Sequence, residues 1–148
     1  MEESKKAQHR DFVQSVITRM NANSFQLKGL MITLVAAFLG VYASNSNISV
    51  NFLLIPIPLV LLFWCLDAYY LKLERQFIGI YNDICDITSD DKKVTKQVFL
   101  MNPELYKGGN YRYFKVLFST SIAPLYSMVL VSLSILFLIL KCQCFFNV

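Results

Sequence analysis

Residues 29–66 read GLMITLVAAFLGVYASNSNISVNFLLIPIPLVLLFWCL and contain no Lys, Arg, His, Asp or Glu. A helix needs about 20 apolar residues to cross a hydrocarbon core of roughly 30 Å. This stretch has room for two such helices. Its one polar cluster, Ala43-Ser44-Asn45-Ser46-Asn47, supplies the turn chemistry of Ser and Asn between them. The reading is a membrane hairpin, with a first span at about Ser24 to Ser44 and a second at Ile48 to Tyr70.

A second uncharged stretch, Val116 to Leu140, holds a third span at Phe118 to Leu140. The composition agrees. Only 16% of the 148 residues are charged and 55% are hydrophobic, with a mean hydropathy of +0.47. Soluble domains carry about 25% charge. Burying such runs inside a soluble protein would need far more partner surface than a chain this short offers. Val41-Tyr42-Ala43 has the small-residue pattern of a signal-peptide cleavage site, but Glu2, Glu3 and Asp11 in the leader and the second apolar run argue against one.

The expected fold is therefore all-α: a multi-pass membrane protein with a transmembrane hairpin, a third span and a cytoplasmic helical stalk. Its parts are a cytoplasmic amphipathic helix (1–23), the hairpin (24–70), the stalk with a basic insert (71–117), the third span (118–141) and a short outer tail (142–148). Orientation follows from the basic residues. Lys5, Lys6, Arg10, Arg19 and Lys28 precede or enter the first span, eight more lie from Lys72 to Lys115, the hairpin turn has none, and Lys141 alone follows the third span. The positive-inside rule puts the N-terminus and residues 71–117 in the cytoplasm and the C-terminus outside. Asn47-Ile48-Ser49 is formally a glycosylation sequon, read here as part of the tight turn.

In the N-terminal helix Phe12, Val13, Val16, Ile17 and Met20 share one face. That face suits either the headgroup layer or the helix that follows the second span. In that later helix Leu66, Tyr70, Leu73, Phe77 and Tyr81 recur at helical spacing without a Pro, which predicts one continuous helix to about Cys85. Trp64, Tyr69 and Tyr70 form an aromatic belt where it leaves the membrane. The insert offers a helix cap at Thr88-Ser89-Asp90-Asp91, a short amphipathic piece at Val94 to Leu100, a stop at Asn102-Pro103 and a turn at Gly108-Gly109-Asn110. Its Lys92, Lys93, Lys96, Lys107, Arg112 and Lys115, with Tyr106, Tyr111 and Tyr113 among them, are candidates for contact with lipid phosphates or a partner. No direct nucleic-acid binding is expected.

No catalytic set is visible. The chain has one His, His9, and lacks a Walker A loop, a G-x-S-x-G elbow and an H-E-x-x-H helix. Cys65, Cys85, Cys142 and Cys144 do not have metal-ligand spacing, so neither metal nor cofactor is expected. Asp67 is the most informative ionisable group. It stands at the inner end of the second span as Lys28 stands at the inner end of the first, and either Lys28 or Arg75 is an obvious counter-charge; a proton or cation site is the alternative. Thr33, Ala37 and Gly40, with Gly29 and Ser44, form a small-residue face on the first span. Thr120, Ser127 and Ser134 repeat every seven residues on the third, a pattern for helix packing or for lining an oligomeric pore.

The entry segment Asn21-Ala22-Asn23-Ser24-Phe25-Gln26-Leu27-Lys28-Gly29, the hairpin, and the exit from Phe63 to Arg75 resemble small membrane proteins of bacterial mobile and defence loci. Over about residues 8–86 the layout is similar to the SLATT group, two-helix membrane effectors of prokaryotic conflict systems. The third span and the insert depart from that two-helix plan. The resemblance implies a non-enzymatic antiviral effector that oligomerises and permeabilises the inner membrane on a cytosolic signal. A membrane anchor or sensor subunit recruiting a soluble defence partner, encoded nearby, is the alternative.

Overall fold

A computed structural model describes residues 2–45, 47–85, 87, 101–106 and 108–146. Every regular element among the described residues is helical. In chain order they are α1 (Glu2–Ser44), a 3-10 turn (Val50–Leu54), α2 (Pro56–Ile84), 3-10 turns at Pro103–Leu105 and Gly109–Tyr111, α3 (Tyr113–Leu117) and α4 (Ala123–Phe146). Three stretches are long and apolar enough to cross a membrane: Glu3–Ser44, Val50–Ile84 and Ala123–Gln143.

Helix boundaries differ from the expectation in four places, three of them for a local reason. The N-terminal helix and the first span are one 43-residue helix. No Gly or Pro precedes Gly29, and the two Asn of Asn21-Ala22-Asn23 each weaken a helix by well under about 1 kcal/mol. The second long helix starts at Pro56 rather than Ile48, and the last at Ala123 rather than Phe118. Proline has no N–H and its ring strikes the carbonyl four residues back, so a helix tolerates it only in the first turn. Pro56 and Pro58 open α2, and Pro124 opens α4. The residues displaced from α2 form the 3-10 turn, whose cap Ser49 accepts from the Asn51 N–H. At its far end α4 continues through the expected tail to Phe146. The other stop matches: α2 ends at Ile84, one residue short of Cys85.

The chain divides into two compact units, residues 1–25 with 68–116 and residues 26–67 with 117–148. Of the 24 charged residues only Lys28, Asp67 and Lys141 belong to the latter, the apolar unit. Its core contains Met31, Val35, Leu53, Val60, Phe63, Ile122, Tyr126 and Leu133. There α4 packs on the Val50–Leu54 turn, and Phe38 meets Phe52 at 5.7 Å between ring centres.

The charged unit is built on Val13, Ile80 and Tyr106, with Ile17, Phe77, Tyr81, Ile84, Met101, Leu105 and Tyr111 packed against them. Val13 and Ile17 of the apolar face of the N-terminal segment thus lie against the continuation of the second span, whereas Phe12 is exposed. His9, expected on a polar helix, is 3% exposed. The turn signals of the insert are realised. Asn102 Oδ1 accepts from the Glu104 N–H at 3.0 Å, and Gly108 (φ 93°) and Gly109 (φ 51°) adopt left-handed backbone that side chains resist. The Thr88–Asp91 cap and the Val94–Leu100 piece lie outside the described residues.

Candidate functional site

Residues three apart on a helix share a face, so α2 presents the Trp64 indole and the Asp67 carboxylate together. Tyr126 of α4 meets both. Its ring stacks on the indole at 5.9 Å with an interplanar angle of 1°, and its hydroxyl donates to Asp67 Oδ2 at 3.2 Å. Lys28 Nζ of α1 reaches the same oxygen at 2.8 Å. Asp67 is fully buried, while the Lys28 side chain keeps 24% of its surface exposed. One buried carboxylate therefore gathers charge from α1 and a hydroxyl from α4, joining all three long helices of the apolar unit.

The energetics follow from burial. Moving a carboxylate out of water costs several kcal/mol, and a cation with a further hydrogen bond offsets that cost. This is the geometry of a structural pair. Of the two expected counter-charges Lys28 fills the role. Arg75 is eight residues further along α2, roughly 12 Å of helical rise, beyond the reach of Asp67. Trp64 is drawn into the bundle as well. Its Nε1–H donates to the Leu117 carbonyl at 3.0 Å and its ring meets Phe118 edge-on at 5.9 Å, whereas its expected belt partner Tyr69 is exposed.

The charged unit contains a second polar cluster. The Tyr106 hydroxyl donates to the buried Asp83 carboxylate, and Gln76 Nε2 donates to the Tyr106 carbonyl at 2.9 Å. Burial and the Asp83 bond push the Tyr106 phenol well above its ordinary pKa. The ring lies over Gly79. A Cβ there would stand 2.8 Å from Tyr106 Cδ1 and 3.0 Å from the Tyr111 hydroxyl, so only glycine fits. The later part of the insert is thereby pinned to α2 through both the backbone carbonyl and the side chain of Tyr106. Sequence reasoning missed this cluster and the role of Tyr126, because a phenol 23 or 59 residues from its carboxylate leaves no periodic trace.

The small-residue face is an outward one. Gly29, Thr33, Ala37 and Gly40 are exposed, with open space where a Cβ on Gly29 or Gly40 would stand. The opposite face, with Met31 and Val35, makes the core. Thr33 returns its hydroxyl to the Gly29 carbonyl. The seven-residue polar repeat loses its first member, since Thr120 sits in the turn before α4. Ser127 and Ser134 are exposed and bond to the carbonyls of Pro124 and Leu130 on their own helix. Arg112 and Lys115 are exposed, and Lys92, Lys93, Lys96 and Lys107 lie outside the described residues. Cys65, Cys85 and Cys142 are not joined in disulfides. No three His, Cys, Asp or Glu among the described residues gather as metal ligands.

These features define an all-α protein with three helices suited to a membrane, tied by a buried Lys–Asp–Tyr cluster and joined to a charged helical unit. The chain matches no protein-family model, no curated protein and no solved structure.

Proposed function

We propose that the protein is a non-enzymatic effector of the bacterial inner membrane that self-associates within the bilayer and permeabilises it on a cytosolic signal. The observation that carries this reading is the outward face of α1. Gly29, Thr33, Ala37 and Gly40 make no use of their small size within one chain, and small residues in a membrane helix let a second helix approach closely. A furrow of about 410 Å³ on α4, lined by residues including Met128, Val131, Ser132 and Ile135, offers a second surface for the same purpose. Antiviral defence as the setting rests on the SLATT-like layout. In cells carrying the native neighbouring genes, activation is expected to collapse the membrane potential and admit an impermeant dye. Intact membranes under full activation would sink the proposal.

A second reading, an anchor or sensor subunit for a soluble defence partner, is favoured by the charged unit, in which the later part of the insert is held on α2 by Tyr106, Gln76 and Asp83. Co-purification of one neighbour-encoded protein, lost when residues 88–100 are shortened with Tyr106 retained, would support it.

A further inference from the structure

The chain leaves the charged unit at three places, after residue 25, before residue 68 and after residue 116. Each exit carries an outward aromatic. Phe25 is 76% exposed, Tyr69 51% and Phe114 73%, although Phe and Tyr rings are costly to leave in water. The third exit has the fullest design. Val116 on α3 is completely buried and holds the short helix down. Arg112, Phe114 and Lys115 face outward from the same segment. From Leu105 to the C-terminus the sequence contains no Asp or Glu, so the segment's own charge is of one sign. Only five residues separate α3 from α4, which is long and apolar enough to cross a membrane, so the chain itself holds α3 within about 20 Å of that span.

We propose that the Arg112–Lys115 segment is a binding site for anionic phospholipid, with Phe114 seated among the acyl chains and Arg112 and Lys115 on the headgroup phosphates. The chemistry is charge complementarity at short range. A ring that partitions to the interface fixes depth, and cations beside it attract anionic lipid over zwitterionic lipid. A phosphate alone would satisfy the cations but not the ring, which selects lipid as the occupant. The site serves the protein equally as a pore former or as an anchor.

The test uses the full chain reconstituted in phosphatidylcholine vesicles containing a trace of spin-labelled phosphatidylglycerol or spin-labelled phosphatidylcholine. The fraction of motionally restricted label reports lipid held by the protein. Wild type is expected to prefer phosphatidylglycerol by about five-fold, falling towards parity in 1 M salt. Arg112→Gln with Lys115→Gln should lower the preference by about half or more, and Arg112→Lys with Lys115→Arg should keep it. Phe114→Ala should lower it with both charges present. Circular dichroism of each variant separates loss of the site from loss of the fold, and the salt arm on wild type stands even where a variant does not fold. Equal restriction of the two labels by wild type, or a full preference in the double Gln variant, would overturn the proposal and leave these side chains for a protein partner. Failure of wild type to enter vesicles at all would refute the membrane reading instead.

Discussion

Asp67 shows how much a single buried charge can organise. Its need for a counter-charge, from Lys28 or Arg75, is legible because a membrane segment keeps few charges and those few must meet; the structure selects Lys28. Tyr126 was not legible, since its register against α2 depends on where α4 begins. Lys28→Met is expected to cost about 3 kcal/mol by leaving the carboxylate buried without its cation. Lys28→Met with Asp67→Asn should recover most of that loss, and Tyr126→Phe alone should cost about 2 kcal/mol as a hydrogen bond to a charged group. Unfolding in detergent by circular dichroism checks all three, and additive losses in the double variant would deny the coupling. His9 makes a separate prediction. Burial lowers its pKa below the ordinary 6.5, so folding favours the neutral ring. Above about pH 7.5 both folded and unfolded chains hold it neutral and it has no effect. As pH falls through 6.5 the unfolded chain takes up the proton first, and stability drops. His9→Gln should flatten the stability profile between pH 7.5 and 5.5.

At the scale of elements, hydrophobic pattern located the long helices and proline set their starts. The apolar run from Ile48 onward gives no warning that its first residues are 3-10, because hydropathy is blind to backbone hydrogen bonding; Pro56, Pro58 and Pro124 carry that information instead. The continuity of α1 was hidden for the opposite reason. A change from charged to apolar composition looks like a boundary, yet nothing between Glu2 and Gly29 breaks a helix. Three glycines on two helices then separate fold from assembly. Gly79→Ala drives a methyl into the Tyr106 ring and should cost about 1–3 kcal/mol. Gly29→Leu with Gly40→Leu meets only open space within one chain and should leave thermal stability unchanged or slightly raised. The same pair should dissolve any oligomer formed through α1, as measured by the mass of the detergent-solubilised complex. An oligomer that survives both substitutions would move the interface off this face.

At the scale of the whole molecule, three helices suited to a membrane and a lopsided distribution of charge combine into one claim about topology. Three crossings would place the termini on opposite sides, and the positive-inside rule would then put the charged unit in the cytoplasm. The cysteines test this directly. Cys85 belongs to the charged unit and Cys142 follows Lys141 near the end of α4, while Cys65 lies on the apolar part of α2. In single-cysteine versions expressed in whole cells, a membrane-impermeant maleimide is expected to label Cys142 without treatment. It should reach Cys85 only after the membrane is permeabilised, and Cys65 should resist until the protein is denatured. Labelling of Cys85 from outside would invert the assignment. Labelling of both without permeabilisation would require an even number of crossings between Cys85 and Cys142, so that α4 does not span the membrane. Under activating conditions the experiment gains a second reading, because a pore wide enough for the reagent exposes Cys85 in cells that at rest protect it.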